Sequence, residues 1–75
     1  MTEVSFEGLL PTDVLRDYLS ERAAEHGVTV EQATLSVSGM EQRARLRSGS
    51  REVTGSSRQD LFAAIDRALS QLAPG

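Results

Sequence analysis

The alternation of apolar and polar residues divides the chain into six segments. The clearest is 57–72, SRQDLFAAIDRALSQL. Leu61, Ile65, Ala68, Leu69 and Leu72 recur at helical spacing and form one apolar stripe, widened by Phe62. Arg58, Asp66, Arg67 and Gln71 fall mostly on the other side. Ser57 stands where an N-cap belongs, with Asp60 three residues on, and Pro74 and Gly75 end the run. Such a helix cannot bury its own stripe, so the rest of the chain must supply the surface beneath it.

Four segments read as strands. Glu3–Glu7 alternates, with Val4 and Phe6 on one side and Glu3, Ser5 and Glu7 on the other. Gly8 ends it, and Leu9 or Leu10 caps the edge of the core before Pro11. Segment 33–38 sets Ala33, Leu35 and Val37 against Thr34, Ser36 and Ser38. Val28 and Val30 lead into it, either as a packed loop or as an earlier start of the strand. Gly39 and Met40 then turn the chain. In 43–47, Ala44 and Leu46 share one face while Arg43, Arg45 and Arg47 share the other. Segment 52–56 is the fourth strand, short and polar. Burial of one face sets the register, so Leu46 should meet Val53 and Arg47 should meet Glu52, with 48–51 as a four-residue turn.

A second helix is predicted over 12–26. Thr12 or Asp13 caps it, and Leu15, Tyr18, Leu19 and Ala23 make its stripe, with Val14 beside it. Asp13 and Asp17 suit the positive end of the helix dipole, Arg22 and His26 lie toward the negative end, and Gly27 is a good residue to follow the last turn.

The element order is β-α-β-β-β-α. Short connections make the last three strands an antiparallel meander. With one apolar face per strand and one stripe per helix, the economical solution is an α+β sandwich: one four-stranded sheet with both helices on one face. The opposite face should carry Glu3, Ser5, Glu7, Thr34, Ser36, Ser38, Arg43, Arg45, Arg47, Glu52 and Thr54, with no aromatic residue.

Seventy-five residues make a single domain, 1–75, with a small core. Without cysteine there is neither a disulfide scaffold nor a thiolate metal site, which fits a reducing, cytoplasmic setting. No apolar run is long enough for a bilayer, and the first residues have no basic segment leading into an apolar one, so neither membrane association nor a secretory leader is expected. The net charge of −3 is uneven: 1–40 hold seven acids and two Arg, whereas 41–75 hold four acids and six Arg. All eight basic residues are Arg, as a GC-rich genome would also produce. The acidic total is unlike that of a generic nucleic-acid binder.

Catalysis has little support. A single His and no Cys leave no obvious nucleophile–base pair, and His26 at a helix end reads as a surface residue complementing the dipole. Gly49 and Gly55 are turn and strand-end glycines, not a phosphate loop. No metal or cofactor is expected. The most suggestive feature is the Arg row. Guanidinium groups at 43, 45 and 47 stand about 7 Å apart, twice the rise per strand residue. That is close to the separation of successive phosphates, so the row could track a nucleic-acid backbone. The other reading is a strand face kept soluble by charge, partly neutralised by Glu52 and Glu41. The missing aromatic platform argues against base stacking there.

Two stretches resemble the N-terminal domain of the ribosome hibernation-promoting family, the HPF/YfiA-type ribosome-associated inhibitors. One is the run Asp60, Leu61, Phe62, Ala63, Ala64, Ile65, Asp66, followed by Ala68 and Leu69. The other is Thr12, Asp13, Val14, Leu15, Arg16, Asp17, Tyr18, Leu19 after a strand ending near Gly8. The resemblance implies the β-α-β-β-β-α fold and a non-catalytic association with ribosomal RNA, in the small-subunit channel where messenger and transfer RNA bind. On that reading Arg43, Arg45, Arg47, Arg51 and Arg58 make the phosphate contacts. Family domains are longer and basic on both helices, whereas here Arg16 and Arg22 sit among Asp13, Asp17, Glu21 and Glu25. The alternative is a protein–protein module that keeps the fold without RNA. It would use the acidic first helix to dock a basic partner, or a sheet edge to form a homodimer.

Overall fold

The computed structural model describes residues 3–7, 12–58 and 60–73. The strands are β1 (Glu3–Glu7), β2 (Gln32–Ser38), β3 (Glu41–Ser48) and β4 (Arg51–Ser57); the helices are α1 (Asp13–His26) and α2 (Leu61–Leu72). They follow the predicted order and form one sheet, β1-β2-β3-β4. β1 runs parallel to β2, and β2, β3 and β4 form the antiparallel meander. The parallel pair is what the α1 crossover permits, since a tight turn cannot join parallel strands.

Both helices cover one face. Ala33, Leu35, Ala44 and Leu46 from the central strands meet Leu19 and Ala23 of α1, Val30 of the α1–β2 loop, and Leu61, Ala64, Ile65, Ala68, Leu69 and Leu72 of α2. Val4, Phe6, Leu15, Val28 and Val53 pack around this cluster. Residues 28–30 are therefore a packed loop, not an early strand. Residues 8–11, with the expected edge contact of Leu9 or Leu10, and Pro74 lie outside the described residues.

Two caps match expectation. Thr12 Oγ1 accepts from the Leu15 N–H at 3.3 Å, and Gly27 closes α1 at φ 69°, where its N–H reaches the Ala23 and Ala24 carbonyls. The cap of α2 does not. β4 continues through Ser57, which pairs with Gln42, so the N-cap moves to Asp60, whose carboxylate accepts from the Phe62 N–H at 2.9 Å. Ser57 is left to accept from the Asp60 N–H at 3.4 Å. The sheet ladder outcompetes the early helical turn, and Arg58 lies in the connector instead of in the helix.

The β3–β4 hairpin has the predicted register, Leu46 with Val53 and Arg47 with Glu52, but not the predicted turn. Ser48 and Arg51 form a further pair, so the loop is Gly49 and Ser50 alone. Gly49 takes φ 62°, the left-handed conformation that such a tight turn needs and glycine adopts freely. Its N–H donates to Glu31 Oε1 at 3.0 Å.

β4 is not the weak strand its composition suggests. α2 lies antiparallel along it, with Arg67 Nη1 donating to the Ser56 carbonyl at 3.2 Å and Gln71 Nε2 to the Thr54 carbonyl at 3.1 Å. Gly55 lies inside this contact and is buried, not at a strand end. It lets the backbone of α2 approach the sheet directly.

Candidate nucleic-acid interface

The helix-free face of the sheet carries the Arg row. The pleat turns Ala44 and Leu46 into the core, so Arg43, Arg45 and Arg47 must point to solvent, and all three are exposed. The register supplies their neighbours. Arg43 lies between Ser36 and Ser56, Arg45 between Thr34 and Thr54, and Arg47 between Gln32 and Glu52. The Arg43 and Arg45 guanidinium donors are thus flanked on both sides by hydroxyl residues, whereas Arg47 has an amide on one side and a carboxylate on the other. Thr34, Ser36, Thr54, Arg43, Arg45 and Glu7 line a shallow groove of about 330 Å³ across this face.

Acids partly compensate the row. Arg43 Nε donates to Glu41 Oε1 at 3.0 Å, and this hydrogen bond, with the carboxylate charge, holds the Arg43 guanidinium above its ordinary pKa. Arg45 Nε lies 3.9 Å from Glu52 Oε1. Glu52 faces Arg47 in the register but turns diagonally to Arg45, and the Arg47 guanidinium has no hydrogen bond or ion pair among the described residues. The pairs are more than half exposed at their arginines, so water and salt weaken them and another anion can displace the carboxylates.

The structure does not bring the other two candidates onto this face. Arg51 projects toward the helix layer, where its guanidinium donates to the Gln71 carbonyl at 2.9 Å and the Leu72 carbonyl at 3.4 Å. It caps the C-terminus of α2, where the carbonyls lack partners and the dipole is negative. Arg58 is exposed in the connector and lines a separate cleft at the sheet end with Arg67. The sequence could not show the Arg51 contact, because it depends on where α2 ends in space.

The helix layer has the opposite electrostatic character. Asp13, Asp17, Glu21 and Glu25 are all exposed and recur every four residues, one line along α1. Glu25 is paired with Arg22. Asp66, which periodicity places on the polar side of α2, instead joins the two helices. It accepts from the Tyr18 hydroxyl at 2.6 Å and from Arg22 Nε at 3.0 Å. The Tyr18 and Phe62 rings meet edge to face at 4.5 Å beside it. Partial burial pushes the Asp66 carboxyl pKa up, but the Tyr18 and Arg22 hydrogen bonds and the Arg22 charge outweigh that and hold it below the usual range. The same hydrogen bond, then burial, raises Tyr18 above the ordinary phenol range. His26 is not the solvent-facing residue expected: its Nε2 is buried with no hydrogen-bond partner among the described residues.

No family model and no curated protein matches the sequence. Solved structures do. The N-terminal domain of Protein Y from Thermus thermophilus is similar over 97% of this chain and 92% of its own, with 31% identity and a TM-score of 0.76. A ribosomal subunit interface protein from Coxiella burnetii is similar in fold, with a TM-score of 0.74 and 11% identity over 96% of this chain and 88% of that one. A 31% identity spanning nearly both chains, on the same β-α-β-β-β-α framework, makes this chain a member of the HPF/YfiA family of ribosome hibernation proteins.

Proposed function

We propose that this chain is a non-catalytic, cytoplasmic domain that associates with the ribosome, through small-subunit or other structured RNA, using the open face of its sheet. The observation that carries the reading is the exposed Arg43, Arg45 and Arg47 row, with hydroxyl residues on both sides of Arg43 and Arg45, on a family framework. Guanidinium and hydroxyl donors suit phosphate and sugar oxygens, contacts that position a protein without reading sequence. The acidic line on α1 would repel phosphate, which directs the sheet face, and not the helices, toward RNA. Arg58 extends the contact at the sheet end, while Arg51 serves the fold.

Co-sedimentation with 30S particles and gel shift of ribosomal RNA at low salt test this directly. Binding should weaken steeply with salt and weaken further in Arg45→Glu. Absence of both signals with well-folded protein rejects the proposal. The exposed acids of α1 favour a second reading, a docking module for a basic protein or a homodimer. A dimer whose mass is insensitive to salt, purified free of RNA, would support that instead.

A further inference from the structure

A cleft of about 770 Å³ opens at the end of the sheet, apart from the Arg row. Arg58 reaches it from the β4–α2 connector and Arg67 from α2, while Ser38 and Ser56 line the strand ends and Met40 comes from the β2–β3 turn. Its one acid, Glu41, is already bound to Arg43 at 3.0 Å. Arg67 spends one donor on the Ser56 carbonyl, and a guanidinium has four more. Arg58 makes no hydrogen bond or ion pair among the described residues. Met40 is 69% exposed, a large apolar side chain left in water beside two cations.

We propose that this cleft binds a nucleotide, as an unpaired residue of an RNA strand or as a free nucleoside monophosphate. Its phosphate lies between Arg58 and Arg67, and its base lies on Met40. The choice of ligand rests on the RNA reading above, but the chemistry stands on the cleft itself. Guanidinium donors bind phosphate oxygens in pairs, and the polarizable thioether of methionine packs well against an aromatic ring. A paired base has its faces stacked within the duplex and cannot reach Met40, so the site selects unpaired residues. The volume is in the range of small-ligand sites.

The test follows the Met40 methyl and the Arg58 and Arg67 side-chain N–H signals by NMR in the intact chain. The probes are a single-stranded oligoadenylate, its duplex with oligouridylate, and AMP. The single strand should shift all three signals; Met40→Ser should weaken it severalfold while leaving duplex affinity much less changed, and Arg58→Gln should weaken it severalfold as well, with some loss for the duplex because Arg58 also borders the sheet face. Thermal unfolding of the variants should match wild type, since both residues are exposed. AMP shifting the same signals supports the site and makes a free nucleotide a sufficient ligand. If AMP binds there and no RNA binds anywhere, the cleft stands and the RNA reading falls. If RNA binds in an Arg45-dependent way while the cleft signals stay still and both cleft variants bind normally, the cleft is overturned and the sheet-face reading survives.

Discussion

Gly55 on β4 lies directly under Ala64 on α2: a Cβ built at position 55 would stand 2.3 Å from the Ala64 carbonyl oxygen and 2.5 Å from the Ala68 nitrogen. Both obstacles are backbone, so no rotamer change relieves them, and α2 would have to lift off the sheet. Gly55→Ala should therefore cost about 2 kcal/mol or more, in the range for overpacked cores. At roughly 4–8 °C per kcal/mol for a domain of this size, the melting temperature should fall by about 10 °C. Circular dichroism melts check this; an unchanged melting temperature would mean that α2 does not rest on Gly55.

The Asp66 bridge predicts an acid-side loss of stability. Its folded carboxyl titrates below its unfolded value, so the stabilisation is present above about pH 4, the ordinary aspartate range, and fades as pH falls through the folded value. Asp66→Asn should cost about 1 kcal/mol at neutral pH, a figure kept low because the Arg22 and Asp66 side chains are 38% and 37% exposed. The gap between wild type and variant should close as pH falls below the ordinary aspartate range and through the lowered folded value in urea melts. A gap independent of pH would show that the charge of Asp66 contributes nothing.

Tyr18 offers a spectroscopic view of the same bridge. It is the only tyrosine and there is no tryptophan, so tyrosinate absorbance reports it alone. Its titration should lie above the ordinary phenol range because the neutral hydroxyl donates a hydrogen bond to the Asp66 carboxylate. Asp66→Asn should move it back toward that range, and Arg43→Gln should not move it.

Arg51 and Arg45 should separate structure from binding. Arg51→Gln removes a charged cap from the last carbonyls of α2 and should lower stability by about 0.5–1 kcal/mol. Its RNA affinity should stay close to wild type, whereas Arg45→Glu should lose affinity and keep its melting temperature. If Arg51→Gln loses as much RNA binding as Arg45→Glu, the interface extends round the sheet edge.

The acids beside the Arg row make a gain-of-binding prediction. Glu41 and Glu52 hold Arg43 and Arg45, and any phosphate must displace them. Glu41→Gln with Glu52→Gln frees both guanidiniums and removes two repulsive charges. RNA affinity at low salt should rise severalfold, with a steeper dependence on salt. Unchanged affinity in fluorescence anisotropy would place the phosphates off this face.

Element types were legible in the chain because each is a local period. Glu3–Glu7 emerges with the predicted ends and Thr12 and Gly27 in the predicted caps. The β3–β4 register was legible too, because a slip by one residue would bury Arg45 in place of Leu46. The solvent-facing Arg row follows from the same alternation. Tertiary structure decided what depends on distant segments meeting. It placed β1 parallel to β2 at the sheet edge, gave Asp60 the cap that β4 denied to Ser57, and brought Asp66 to Tyr18 across 48 residues. It also turned Arg51 from a turn residue into a helix cap and gathered Arg58, Arg67 and Met40 around one cleft. Periodicity reports which face a residue occupies; only the packed chain sets which partner waits there, and the partners set both the charge of the sheet face and the shape of the cleft.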